Sequence, residues 1–233
     1  MDNIIQGIIK AVELLVSGNS DVFQVMALTL TVSGLATAIS VALGVPLGLW
    51  LALKDFWGKQ VLTSLVNFGM GLPPVVVGLV VSLFLWRYGP LGNFNLMYTP
   101  TAMIFTQAII ALPIVASLSL AAILSINPKL RWQLLSMGAT PWQANWLLIK
   151  EARLGLMAAV IAGFGRIISE VGASMMVGGN IKGQTRVLTT AIVMEVGKGN
   201  YDIAIAISLI LLLIAYSIIM FLTILQYDKQ SQL

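Results

Sequence analysis

The chain has 233 residues, of which 58% are hydrophobic and only 9% charged, with a mean hydropathy of +0.95 and a formal net charge of +4. Soluble globular domains carry about a quarter charged residues, so a water-soluble fold is excluded and an all-α integral membrane protein is expected. The absence of cysteine and histidine removes disulfides, thiolate metal sites and the commonest acid–base side chain. The mild basic excess suits loops beside a membrane rather than nucleic-acid binding.

Residues 1–22 read as an amphipathic arm. Ile4, Ile5, Ile8, Ile9, Val12 and Leu15 fall along one helical stripe, with Gln6, Lys10 and Glu13 elsewhere. The segment lacks the basic start and packed apolar run of a signal peptide, and it is too short and too charged to span. It suits either an interfacial helix lying on the bilayer or an arm packed against the spans.

Residues 23–228 read as a single transmembrane domain of about five spans. Span one, 23–53, carries Pro46 between Gly44 and Gly48, which predicts a late kink. A charged loop at 54–59 leads to span two, 61–86, interrupted by Gly69-Met70-Gly71-Leu72-Pro73-Pro74. Two adjacent prolines cannot sit in an unbroken helix, and freed backbone at membrane depth survives only where protein or water covers it. The break therefore either lines a pathway or is a packing kink. A turn-rich loop at 87–100 precedes span three, 101–124, with Pro113 in its middle.

Residues 126–153 are polar yet rich in tryptophan. Asn127 and Pro128 have the chemistry of a helix start, cap followed by first position, and Gly138 divides two helical arms. Trp132, Trp142 and Trp146 with Leu134, Leu135, Leu147 and Leu148 make a surface too apolar for a free loop. It fits the lipid headgroup region or a groove in a cytosolic partner. Span four, 154–177, a polar loop at 181–202, span five, 203–225, and a polar tail at 229–233 complete the chain. With 126–153 inside, Lys54, Lys59, Lys129, Arg131, Lys150, Arg153 and Lys229 outnumber Lys10, Arg87, Lys182, Arg186 and Lys198 outside, which favours a cytoplasmic C-terminus.

Little in the chain suggests catalysis. Residues 178–185, GGNIKGQT, miss the nucleotide-binding pattern because Gln184 stands where its lysine should be, and they follow a span rather than a strand. Without histidine there is no ordinary nucleophile–base pair. Arg166 and Glu170 stand four apart inside span four, where each charge costs at least ~2.5 kcal/mol on insertion scales. They form either a structural ion pair or part of a water-filled passage. Conduction requires sites weak enough to release an ion, which favours hydroxyls and backbone N–H groups. The pathway candidates are thus Pro73, Pro74, Arg166, Ser169, Glu170 and Ser174.

Gly138-Ala139-Thr140, followed after nine residues by Leu148, resembles the cytoplasmic loop of membrane permease subunits of ATP-binding-cassette (ABC) importers. Its E-A-A positions are here Trp132-Gln133-Leu134, and its L-P positions are Lys150-Glu151. Leu72-Pro73-Pro74-Val75-Val76-Val77-Gly78, the run FGRIISEVGASMMVGG at 164–179, and Gln184-Thr185-Arg186 with Thr189-Thr190-Ala191-Ile192 are similar to the molybdate, sulfate and tungstate permeases, most of all the tungstate branch. The resemblance implies the importer permease fold in a prokaryotic plasma (inner) membrane, as a homodimer. It implies two ATP-binding subunits below, carrying ATP and Mg while this chain carries no cofactor, and an extracytoplasmic tungstate-binding protein above, facing the loop at 180–199. Trp132, Gln133, Leu134, Gly138, Ala139, Thr140 and Trp142 would form the coupling helix. The rival readings are a permease for molybdate or sulfate, a secondary transporter coupled through Arg166 and Glu170, and a channel or scaffold. A secondary transporter would predict inverted repeats, and the two halves give no convincing match.

Overall fold

The computed structural model describes residues 2–18 and 20–228; the polar tail at 229–233, with Lys229, lies outside the described residues. Helices run in the order α1 (Asp2–Val16), α2 (Ser20–Leu53), α3 (Lys59–Gly71), α4 (Pro74–Leu85), a single 3-10 turn (Gly92–Phe94), α5 (Pro100–Leu124), α6 (Pro128–Ser136), α7 (Pro141–Glu151), α8 (Arg153–Ile168), α9 (Gly172–Gly178), α10 (Leu188–Gly197) and α11 (Tyr201–Asp228). Helices α2, α5 and α11 are unbroken and long enough to cross a membrane, whereas α3–α4 and α8–α9 are pairs bent by 101° and 59°.

Helix α5 is the hub. It starts where Thr99 accepts a hydrogen bond from the Ala102 N–H at 3.2 Å and Pro100 needs no partner for its nitrogen. Helix α2 lies against it through Gly44 and Gly48, a small-xxx-small spacing that lets helix backbones meet. A Cβ on Gly48 would stand 2.3 Å from the Ala116 carbonyl oxygen, and one on Gly44 3.0 Å from that of Leu112. Pro46, between them, does not end α2, which runs on as one helix of 34 residues. On another side α8 brings Gly155 against Ala122 and Gly163 against Val115, and α3 brings Gly69 against Pro113. Buried hydroxyls along α2 and α5 return to their own helices: Thr37 donates to the Ser33 carbonyl and Thr106 to that of Ala102, both at 2.7 Å.

The bundle has two ends. Val32, Leu85, Met103, Val177 and Val187 cluster at one; Ala122, Ile123 and Ala152 cluster at the other, with Leu49, Leu53 and Ile149. Each bent pair therefore runs from the second end to the first, α4 finishing at Leu85 and α9 just past Val177.

Two expectations need correction. Span four, read as continuous over 154–177, is interrupted at 169–171, so Arg166 and Glu170 do not share one unbroken helix. The polar loop at 181–202 contains α10, an apolar helix too short to span; its first N–H, on Leu188, donates to the Thr29 hydroxyl at 2.9 Å. The arm α1 packs on α11, where a Cβ on Gly7 would stand 2.4 Å from Ile205 Cγ2. The stripe residues Ile5, Ile8, Ile9 and Val12 point away from that contact and stay exposed.

At the end of α10, Glu195 accepts from Asn200 Nδ2 at 2.7 Å and Lys198 Nζ at 2.9 Å. The Asn200 amide and the Lys198 charge outweigh burial and hold its carboxyl below the ordinary value of 4.5. A depressed folded value means stability that is present above the unfolded pKa and lost as pH falls through the folded one. Glu195→Gln should therefore melt below the parent at neutral pH and converge on it under acid, as thermal unfolding in detergent can read. At the hub, Gly48→Val should cost about 1–3 kcal/mol by overpacking and lower the melting temperature. Gly34→Ala, with nothing within 4 Å of its Cβ, should not.

Candidate translocation pathway

Neither Pro73 nor Pro74 has an N–H to give, so helix α3 cannot continue into α4. Pro74 opens α4, and the Pro73 carbonyl accepts from the Val76 and Val77 N–H groups at 2.9 and 3.3 Å. Pro73 is exposed and Pro74 half-buried. A bend of 101° is far more than a packing kink.

The second break is built around Glu170. Helix α8 ends at Ile168, and the exposed Ser169 turns its hydroxyl back to the Gly165 carbonyl at 2.9 Å. Glu170 follows, only 5% exposed, with three engagements. Its Oε1 accepts the Ala173 N–H at 3.0 Å, its Oε2 lies 3.6 Å from Arg166 Nη2, and its main-chain carbonyl accepts the Thr189 hydroxyl of α10 at 3.0 Å. A carboxylate beside the first turn of a helix is favourable because that end carries orphan N–H donors. The ion pair is looser than a charge-assisted hydrogen bond of about 2.7–2.9 Å, and the Arg166 side chain stays 36% exposed.

The two breaks are neighbours. A Cβ on Gly172 would stand 2.6 Å from Val75 Cγ2, and one on Gly78 2.7 Å from the Ala173 Cα. Two glycines thus seat α4 on α9 directly beyond their breaks. Behind them, Gln107 of α5 donates to the Ser174 hydroxyl at 2.8 Å, with both residues buried. Of the six pathway candidates, Pro73 and Ser169 are exposed, Pro74 and Arg166 partly so, and Glu170 and Ser174 hold the breaks from inside. The break in α8–α9 had a signal in the sequence: Gly163, Gly165 and Gly172 flank a Ser-Glu pair, and Glu170 stands three residues before the N–H that it caps. Gln107 had none, since a lone glutamine in an apolar span says nothing of its partner.

At the far end, Asn127 caps α6 by accepting the Lys129 N–H at 3.0 Å. Gly138 takes φ +88° between α6 and α7, a conformation costly for other residues. Thr140 and Gln143 close a reciprocal capping box at 2.8 and 3.3 Å. Ala144 and Leu148 fasten α7 from beneath. Trp132, Gln133 and Trp142 project outward, with Trp142 78% exposed, while Leu134 and Ala139 are half-buried. The glycine-rich run at 178–185 is folded on itself. Thr185 donates to the Gly178 carbonyl and accepts the Ile181 N–H, and the N–H groups of residues 184–186 converge on the Ile181 carbonyl.

Glu170→Ala removes both the cap of α9 and the counter-charge of Arg166. It should destabilise the protein by about 1–3 kcal/mol, the cost of a lost buried hydrogen bond to a charged group. Glu170→Gln keeps the acceptor for Ala173 and should lose less. Melting in detergent, with Arg166→Gln completing a double-mutant cycle, measures both.

Residues 44–228 match the family described as the binding-protein-dependent transport system inner membrane component. A probable anion ABC transporter permease protein of Haloferax volcanii is 48% identical over 81% of this chain and 84% of its own length. Tungstate uptake system permease proteins of Peptoclostridium acidaminophilum and Campylobacter jejuni are 41% and 36% identical, over 94% and 93% of this chain and 96% and 90% of their own lengths. Among solved structures, a bacterial ABC transporter that imports alginate superposes with a TM-score of 0.72 at 22% identity, covering 88% of this chain and 79% of its own. The inward-facing methionine ABC transporter superposes with 0.71 at 19% identity, covering 90% of this chain and 94% of its own. At such identities the structures speak for the fold alone. The family match covers more than half of the chain and the relatives nearly all of it: the protein belongs to the binding-protein-dependent transport system inner membrane component family.

Proposed function

We propose that the chain is the membrane-spanning permease subunit of an ATP-driven importer that carries tungstate into the cytoplasm. The observation that carries this is the meeting of two broken spans at one level, with a partly exposed arginine and serine beside them, in a chain similar along nearly its full length to tungstate uptake permeases. A dianion needs donors that attract it without trapping it. Arg166, restrained by a loose pair to Glu170, supplies attraction at reduced net charge. Ser169, exposed beside it, supplies a neutral donor when its hydroxyl turns from the Gly165 carbonyl to the ion.

Transport also needs partners. Two copies of the chain enclose the passage. Two ATP-binding subunits, which hold ATP and Mg, dock on the outward face of α6 and α7. A tungstate-binding protein delivers the ion to the opposite end, near α10. The C-terminus is cytoplasmic: Gln226 donates to the Leu154 carbonyl at 2.9 Å, which brings the end of α11 to the end that carries α6 and α7. Closure of the ATP-binding subunits moves the Trp132–Trp142 face, and the rigid caps at Asn127 and Thr140 pass that motion to α8.

Vesicles holding the chain with its ATP-binding subunits and binding protein should take up labelled tungstate only with internal ATP, and in preference to molybdate and sulfate. Equal molybdate uptake would replace the substrate, and ATP-independent uptake would overturn the importer reading. Trp142→Ala, by removing an exposed aromatic anchor, should weaken co-purification of the ATP-binding subunits at unchanged melting temperature, with an effect of about 2 kcal/mol as for interface hot spots.

A further inference from the structure

Helix α3 carries a polar edge apart from the candidates above. Gln60, Ser64 and Asn67 recur at intervals of four and three residues and are all exposed, and Gly71 continues the row to the double-proline break. The neighbouring exposed positions Val61, Leu65 and Phe68 are apolar. The depth of this edge follows from α5. Ser117 Oγ donates to Asn67 Oδ1 at 2.5 Å, and from Ser117 to the end of α5 at Leu124 is about 10 Å at 1.5 Å per residue. The amide therefore sits well inside the length of an unbroken span. Ser117 also lies on the α5 face between Pro113, where α3 packs, and Ala122, where α8 packs, and turned from the α2 contact at Leu112 and Ala116.

The hydrogen-bond pattern selects a ligand class. The Asn67 acceptor is taken by the serine hydroxyl, while its NH2 group enters no hydrogen bond among the described residues. Uncommitted amide donors are not tolerated against hydrocarbon; polar groups at this depth face protein or a water-filled passage. What is offered is a neutral pair of N–H donors, oriented by Ser117 and accompanied by the Ser64 hydroxyl one turn below. The nearest cation on this helix, Lys59, is engaged by Asp55 at 3.0 Å. Such a site attracts an oxyanion by hydrogen bonds alone, and so can release it.

We infer that Asn67, held by Ser117, is a hydrogen-bond donor to the transported oxyanion in the half of the passage between the proline break and the α6–α7 end. The inference rests on the proposed transport function and adds a binding residue to it.

The chain contains no cysteine, so Asn67→Cys, Ser64→Cys and Leu65→Cys each place a single thiol in an otherwise thiol-free permease. In the reconstituted full complex, the anionic reagent 2-sulfonatoethyl methanethiosulfonate should modify the thiols at 67 and 64 and spare the one at 65, and tungstate should slow modification at 67. Asn67→Ala should raise the KM for tungstate about tenfold, as expected for a lost hydrogen bond to a charged group. Asn67→Asp still accepts from Ser117 and should keep the parent melting temperature, yet repel the dianion and abolish uptake. Parent uptake reads the transport function separately: without it, that function and this inference fall together. With parent uptake present, three results overturn the inference alone: an unreactive thiol at 67, reactivity that tungstate leaves unchanged, or full uptake by Asn67→Asp. An unreactive thiol at 67 that instead forms a disulfide with its own copy would mark a subunit contact and overturn it likewise.

Discussion

The close approach of α2 to α5 is the constraint on which the other contacts depend. At Gly48 a side chain would run into the Ala116 carbonyl, and at Gly44 the room is nearly as small. In a bilayer the lipid tails are as apolar as leucine, so helices are held by packing and not by escape from water. Glycine lets two backbones touch along their length and frees the remaining faces of α5 for α3 and α8. Had bulky residues stood at these positions, the bent pairs would have no straight helix to lean on.

That straight support is what makes two broken spans tolerable. A break leaves backbone groups unpaired at a depth where water is scarce. At the first break the prolines remove the donors outright. At the second, Glu170 meets the need with one side chain and one carbonyl, capping α9, balancing Arg166 and receiving Thr189 from α10. The cost of burying the carboxylate is offset by the Ala173 N–H and the Arg166 charge, while the Thr189 hydroxyl satisfies the main-chain carbonyl. Glu170 serves the fold, and its incomplete grip on Arg166 leaves a partly exposed cation beside the second break.

The α6–α7 arm follows a different logic. Its tryptophans are outward, and its rigidity comes from caps rather than from burial: Asn127, the left-handed Gly138 and the Thr140–Gln143 box. An arm stiffened in this way holds its shape without a core of its own. It meets the bundle through Ile149 and Ala152, next to the start of α8, the helix that runs on to the second break.

Much of this was legible in the residues. Apolar runs marked the spans, Pro73 and Pro74 marked the first break, and Asn127, Pro128 and Gly138 marked the arm, because proline, glycine and caps act on the backbone within a few residues of themselves. The sequence by itself thus determined the membrane class, the apolar runs, one break and the capped arm. Only the tertiary structure decided that the breaks touch through Gly172 and Val75, that Gln107 meets Ser174, that Asn67 meets Ser117, and that the segment at 188–197 folds as a half-buried helix whose start meets Thr29. The physical reason is range. A cap or a proline is a local event, whereas a hydrogen bond between residues 50 or 67 positions apart exists only once a third helix has set the distance between them.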